Sequence, residues 1–270
     1  MQVSYIITTF NRHELLERAV AFVARERCAD SELIVVDDNS QPPAVMPLLA
    51  ETAFPGAHQL IRNSQNLGVI GARNAGLQAA TGQYVVFLDD DDESLPNRTV
   101  DLLAAIKASS YDFVAARSQM VLTHTEKTVP AQSGFLLTPE KLLLYPSHID
   151  AIIWRRETFV RMGGLDNRVP YFGEHISLLL CLLQGGSGWL SEAIVARFGY
   201  IDAGLTLQTH QQNRLKELLM SMFRVLQEEA TKKHGQHLFD QVLTMLQREE
   251  IVSFDNYLLH LHALLETENP

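Results

Sequence analysis

Four consecutive aspartates, Asp89 to Asp92, follow the apolar run Tyr84-Val85-Val86-Phe87-Leu88. A strand ending in clustered carboxylates puts several hard oxygen ligands at one edge of a sheet. Such a cluster repels itself unless a cation sits in it, and Mn²⁺ or Mg²⁺ suits ligation by oxygen alone. The alternative is a solvated acidic turn, since runs of charge usually face water. Two more polar clusters also follow strand-like runs. Thr8, Thr9, Asn11 and Arg12 come after Val3-Ser4-Tyr5-Ile6-Ile7, and Asp37 to Ser40 come after Glu32-Leu33-Ile34-Val35-Val36. Farther on, Gly173-Glu174-His175 opens an apolar segment with two groups able to accept a proton.

Positioning these residues requires alternating strands and helices. The pattern predicts strands over Val3 to Thr8, Glu32 to Val36, Ala57 to Ile61, Tyr84 to Leu88 and Tyr111 to Ala116. Between them it predicts helices over Arg12 to Arg27, Gly71 to Ala80 and Leu95 to Ala108, the last with Pro96 near its first turn. Alternation of this kind implies an α/β fold with a mostly parallel sheet flanked by helices. Ligands of such open sheets bind beyond the carboxyl ends of the strands, where the three polar clusters fall. Residues 119–205 are less regular. Helices are expected over Thr138 to Leu144, Arg156 to Met162 and Glu174 to Gln184, and strands over Ile149 to Trp154 and Trp189 to Ala196. From about Leu207 the sequence turns helical, with apolar stripes through Leu215 to Leu226, Leu238 to Leu246 and Ile251 to Leu265. The expected organisation is therefore 1–118, 119–205 and a C-terminal helical extension, 206–270.

Composition narrows the function classes. With 270 residues, 46% of them hydrophobic, the chain is long enough for one large or two small cores. Its net charge of −10 argues against nucleic acid as the main partner. The two cysteines, Cys28 and Cys181, sit in apolar stretches and read as inert core thiols. Together with a strand-like N-terminus in place of a signal peptide, they predict a cytoplasmic protein. No apolar run is long enough to span a membrane.

The motifs resemble, in order and spacing, those of family 2 glycosyltransferases with the GT-A (Rossmann-like) fold. The segments are Val3 to Arg12, Glu32 to Ser40, Asn66-Leu67-Gly68-Val69-Ile70-Gly71-Ala72-Arg73-Asn74-Ala75-Gly76, and Gly82 to Asp92. Gly163-Gly164-Leu165-Asp166 and the region of Glu174 extend the likeness to about residue 205. The resemblance implies transfer of a sugar from a nucleotide-sugar donor, most readily a UDP-sugar, to a glycan or lipid-linked acceptor. It implies that Thr8, Phe10 and Asp38 hold the base, with Asn11, Arg12, Gly68 and Arg73 around the nucleotide. A carboxylate can accept a uracil imide N–H, and an aromatic ring can pack on the base. It further implies that Asp91 ligates Mn²⁺ or Mg²⁺ directly, with Asp89 as the other half of an Asp-x-Asp pair and Asp89 or Asp90 reaching the ribose or a metal-bound water.

The chain also departs from the family pattern. Relatives place a Glu-Asp pair at the start of the buried helix, the Asp acting as the base of an inverting transfer, and here the pair is Glu174-His175. Either can be the base near neutral pH. A non-catalytic nucleotide-sugar-binding module is the alternative, and a sugar-phosphate nucleotidyltransferase is disfavoured by Thr8-Thr9-Phe10-Asn11-Arg12 in place of a glycine-rich basic loop. Some relatives carry a late histidine that completes the metal site. The matching stretch, Phe198 to Thr206, lacks one, although Asp202 and His210 are near in sequence. Trp154, Arg155 and Arg156 are candidates for acceptor or diphosphate contact. For the C-terminal helices the readings are a helical cap, a homodimer interface, or peripheral contact with the inner face of a membrane.

Overall fold

The structure, a computed structural model, describes residues 2–26, 28, 30–44, 56–122, 125–127, 134–144, 149–168, 173–199, 212–230, 236–249, 257, 260, 261, 263 and 264. The chain forms two compact units. The first comprises Met1–Leu136, Ser147–Leu165 and Ser187–Gly199, and the second Leu137–Pro146, Asp166–Gly186 and Tyr200–Pro270.

The first unit is built on a mixed sheet. Its strands are β1 (Val3–Thr9), β2 (Ser31–Asp37), β3 (Ala57–Arg62), β4 (Tyr84–Asp89), β5 (Glu93–Ser94), β6 (Phe113–Leu122), β7 (Thr125–Lys127), β8 (Phe135–Leu137), β9 (Ile152–Arg155) and β10 (Gly188–Gly199). They run in the order β3-β2-β1-β4-β9-β6-β10-β5, with β7 beside β6 and β8 beside β10. β3, β2, β1 and β4 are mutually parallel. β9 is antiparallel to both β4 and β6, and β10 is parallel to β6. Apolar runs make this arrangement. Tyr5, Ile6, Ile7, Ile34, Val35, Val36, Val85, Val86 and Phe87 are all fully buried, as strands covered on both faces must be.

Helices flank the sheet. α1 (His13–Arg25) buries the stripe Leu16, Ala19, Val20 and Val23. α2 (Gly68–Ala79) is rich in small residues, which lets its backbone approach β1 and β2. A Cβ at Gly76 would stand 2.5 Å from Ile6 Cγ2. α2 begins three residues earlier than the periodicity predicts, because Asp38 takes up the N–H groups of Leu67 and Gly68. α3 (Arg98–Lys107) follows, after Asn97 in the left-handed conformation.

The strand expected over Ile149 to Trp154 is corrected. Residues Ile149–Ala151 form a 3₁₀ turn, and only Ile152–Arg155 form β9. The Asp150 carboxylate accepts the Asp89 N–H, and the Asp150 carbonyl accepts from Arg98 Nε. These bonds replace the sheet ladder there. α5 (Arg156–Met162) ends at Gly163, whose φ of 80° suits glycine.

The second unit is helical among the described residues, with α4 (Pro139–Leu144), α6 (Gly173–Leu183), α7 (Gln212–Ala230) and α8 (Gln236–Arg248). The stripes of α7 and α8 bury Leu219, Met222, Phe223, Leu226, Phe239, Val242 and Leu246. Phe223 packs its ring 6.1 Å from Phe239 and 6.4 Å from Tyr257. Each such side chain contributes about 1.5–3 kcal/mol by leaving water. Most of the third predicted stripe, Ile251 to Leu265, lies outside the described residues. Among those described, no helix is long and apolar enough to cross a membrane. Cys28 and Cys181 are both buried, as their apolar surroundings predict, and neither forms a disulfide among the described residues.

Candidate nucleotide and cation site

Register brings three strand ends together on one rim of the first unit. Thr8 of β1 stands opposite Val36 of β2 and Asp89 of β4, and Thr9 opposite Asp37. The chain runs from β1 outward through β2 to β3, then returns to β4 on the other side of β1. The crevice between β1 and β4 is therefore a topological switch point, where open α/β sheets bind ligands.

On the β2 side, Asp37 and Asp38 have different work. Asp37 is fully buried. It accepts from Ser40 N at 2.8 Å and Ala44 N at 3.1 Å, and pairs with Arg62 at 2.5 Å. These bonds hold its carboxyl below the usual range against the opposing effect of burial. Asp38 caps α2. Its Oδ1 accepts from Asn63 Nδ2 at 2.8 Å and Leu67 N at 2.9 Å, and its Oδ2 accepts from Gly68 N at 2.9 Å. The Leu67 N–H is shared with Oδ2 at 3.1 Å, so a ligand N–H on Asp38 would take the place of this longer second contact. Phe10 and Leu67 are both solvent-exposed large apolar side chains on this part of the rim. Gly68 has a φ of +73°, and a Cβ there would meet nothing within 4 Å.

The loops carrying these groups are fastened to each other. Asn11 N–H donates to Ser40 Oγ at 2.9 Å, and Asn11 Oδ1 accepts from Gln41 N at 2.7 Å. Asn11 and Asn39 both adopt positive φ, which asparagine tolerates better than most residues. The Asn11 side-chain oxygen is thus engaged in shaping the rim.

On the β4 side, the four aspartates meet arginines from other elements. Arg12 Nη1 bridges Asp90 Oδ1 at 3.1 Å and Asp91 Oδ2 at 2.9 Å. Arg18 donates to the main-chain carbonyl of Asp91. Arg73, buried on α2, pairs with Asp89 at 2.5 Å. Thr9 Oγ1 donates to Asp90 Oδ2 at 2.9 Å. Burial pushes the Asp90 carboxyl up to about 6, an effect only partly offset by Thr9 and Arg12.

Asp89 and Asp92 converge with Asp150 of the 3₁₀ turn. One carboxylate oxygen from each lies within 4.8 Å of the others. Burial, first, and the neighbouring carboxylates hold Asp92 and Asp150 well above the usual range. An all-oxygen set of three carboxylates fits a hard divalent ion. Asp150 lies inside a segment whose apolar run predicts a strand, and the motif at the end of β4 does not contain it. Its signal is a lone carboxylate inside the apolar run Ile149 to Trp154.

The other candidates have structural partners. Trp154 is core, packed between Phe113 and Phe159 at 4.8 and 4.6 Å. Arg155 donates to the carbonyls of Ile106, Ser109 and Tyr111, closing the end of α3. Arg156 donates to the carbonyl of Gly82. Asp202 and His210 lie outside the described residues.

Glu174 and His175 belong to the second unit, in the first turn of α6. Both are half-buried, above a helix whose Ile176, Leu178, Leu179 and Leu180 are buried. The turn is secured by Ser177, whose Oγ donates to the Gly173 carbonyl at 2.6 Å and accepts from Asp166 N at 2.9 Å. Burial lowers the His175 imidazole to about 4, so it is neutral at physiological pH.

A mostly parallel sheet with carboxylates at its switch point defines an α/β protein, and known structures share this fold. TarS from S. aureus, solved with UDP-GlcNAc, superposes with a TM-score of 0.73 at 16% identity, over 92% of this chain and 72% of that one. The mannosyltransferase PcManGT from Pyrobaculum calidifontis, solved with GDP-Man and Mn²⁺, gives a TM-score of 0.65 at 17% identity, over 98% and 74%. Residues 4–174 match the model of glycosyl transferase family 2, and the chain belongs to that family. A Campylobacter jejuni relative, the GalNAc(5)-diNAcBac-PP-undecaprenol beta-1,3-glucosyltransferase, is 40% identical over 96 residues, which are 35% of this chain and 31% of that protein. The chain spans between 27% and 63% of the length of the curated relatives it matches.

Proposed function

We propose that the protein is a metal-dependent, inverting glycosyltransferase that moves a sugar from a nucleotide-sugar, most readily a UDP-sugar, to a glycan or lipid-linked glycan. The observation that carries this reading is the register of β1, β2 and β4, which delivers Thr8, Asp38 and the aspartate cluster to one rim. Phe10 packs on the base, Asp38 accepts its imide N–H, and Asn11 and Gly68 shape the nucleotide pocket. Asp90, held by Thr9 and Arg12, faces the ribose side. Asp89 and Asp91 hold Mn²⁺ or Mg²⁺, and Arg12 and Arg73 exchange their carboxylate partners for diphosphate oxygens. A bound divalent ion supplies charge compensation for the departing nucleoside diphosphate.

Glu174 takes the proton of the attacking acceptor hydroxyl, with His175 as the alternative base. Burial takes from His175 the near-neutral pKa that would set an imidazole above a carboxylate as a base. The name of the Campylobacter relative supports a lipid-linked acceptor, and with it work at the inner face of a membrane.

Donor turnover by the wild type and by Glu174→Ala tests the reading. Turnover by the wild type that the variant loses supports it. A second reading, a binding module without catalysis, is favoured by His175 standing where relatives have the catalytic Asp. It prevails if the wild type binds UDP with Mn²⁺ and turns over no donor.

A further inference from the structure

The acidic run at the end of β4 has a partner that the sequence motif does not contain. Asp150 comes from a separate element, the 3₁₀ turn before β9, and is 1% exposed. Its Oδ1 accepts the Asp89 N–H at 2.9 Å. Its Oδ2 is buried and has no hydrogen-bond partner among the described residues. A buried carboxylate oxygen left unpaired loses its hydration with nothing in exchange, so a ligand is expected there.

Geometry points to a cation. Asp150, Asp89 and Asp92 each bring one oxygen within 4.8 Å of the others. Metal–oxygen bonds of about 2.1 Å place opposite ligands about 4.2 Å apart, so three such oxygens can close on one ion with little movement. Charge agrees with geometry. Asp90 and Asp91 share Arg12, Asp89 pairs with Arg73, and the fully buried Arg98 reaches the main chain of Asp150. Arg18 donates to the main-chain carbonyl of Asp91 from the exposed flank. Arg98 is itself turned to carbonyl oxygens, with Nε on that of Asp150 and Nη2 on that of Phe87. Asp91 has its Oδ2 on Arg12.

We propose that Asp150 is a direct ligand of the divalent ion, joining Asp89 and Asp92 beneath the Asp-x-Asp pair. The inference rests on the reading that this rim binds a metal, and it adds a ligand from outside the motif. Asp150 then has two duties. One oxygen fixes the backbone at Asp89, and the other holds the ion, so the end of β4 and the metal are positioned by the same carboxylate.

The test is Mn²⁺ binding without nucleotide, followed by loss of the free-ion electron paramagnetic resonance signal. Asp150→Asn keeps an oxygen for the Asp89 N–H and removes the charge. Asp101→Asn, at an exposed position on α3, is the control. The expected result is a Kd at least about tenfold higher for Asp150→Asn and unchanged for Asp101→Asn. Equal affinity in the wild type and Asp150→Asn overturns the inference and leaves the metal reading standing. No Mn²⁺ binding by the wild type overturns both. If Asp150→Asn does not fold, anomalous scattering from Mn²⁺-soaked crystals of the unmodified protein decides. An ion about 2.1 Å from an Asp150 oxygen supports the assignment, and an ion bonded only to other residues refutes it.

Discussion

Arg73 Nη2 lies 2.5 Å from Asp89 Oδ1, tying helix α2 to the carboxyl end of β4. Arg73 is buried and Asp89 is partly exposed, with 24% of its side chain accessible. Arg73→Met removes the cation and leaves Asp89 beside Asp92 and Asp150. Breaking a fully buried pair costs roughly 3–5 kcal/mol, so a partly exposed one should lose about 1–3 kcal/mol. Urea denaturation checks this, and added Mn²⁺ should restore part of the loss by compensating the same carboxylate. A loss that Mn²⁺ leaves untouched would separate Arg73 from the cation site.

Asp38 is both a candidate base-recognition residue and the cap of α2. Asp38→Ala leaves the N–H groups of Leu67 and Gly68 and the Asn63 amide without their acceptor. Loss of a cap costs about 0.5–2 kcal/mol. The expected outcome is a lower denaturation midpoint together with weaker UDP binding by calorimetry. Asp38→Asn keeps one acceptor oxygen and should fall between the two.

Glu174 and His175 are separable by kinetics. Glu174→Gln should lower kcat by about 10²–10⁴, the usual contribution of general base catalysis, with KM for the donor little changed. His175→Gln should retain most of the activity, because the proposed base is Glu174 and burial has removed the near-neutral pKa that usually makes an imidazole the better base. The reverse ranking would make His175 the base.

His175 also predicts a pH dependence of stability. Its folded pKa, about 4, lies below the ordinary value of 6.5, so the unfolded state binds more protons between these limits. The stabilisation from burying a neutral ring is complete above about pH 6.5 and is lost as pH falls through 4. The loss amounts to roughly 1–3 kcal/mol. His175→Gln should flatten the difference between midpoints measured at pH 7 and pH 4.5.

Much of the first unit was legible because its strands are unbroken apolar runs that end in polar residues. Val3 to Thr9, Ser31 to Asp37 and Tyr84 to Asp89 announce both their burial and their rim. Parallel register then follows from alternation with helices, and it brings Thr8 opposite Asp89. What the sequence does not carry is the partnership of charges far apart in the chain. Arg12 meets Asp90 across 78 positions, and Asp89 meets Asp150 across 61. Periodicity places an element and leaves open which side chains from different elements will meet. Asp150 was lost for a second reason. Its neighbours Ile149, Ile152 and Ile153 look like a strand, while its own carboxylate and carbonyl are bound to groups that bend the chain away from the ladder. Periodicity puts the start of α2 late for a similar reason, since its cap comes from Asp38 and not from a residue beside the helix.

The central claim is that the aspartates at the end of β4 bind a cation that holds the diphosphate of a sugar nucleotide. Thermal unfolding with UDP, with Mn²⁺, with both, and with both in the Asp91→Ala variant tests it most directly, because a ligand of the folded state raises its stability by mass action. The account predicts a large rise in Tm for UDP and Mn²⁺ together, little for UDP in chelator, and loss of the joint effect in Asp91→Ala. A rise produced by UDP alone and unchanged by chelator or by Asp91→Ala would contradict it.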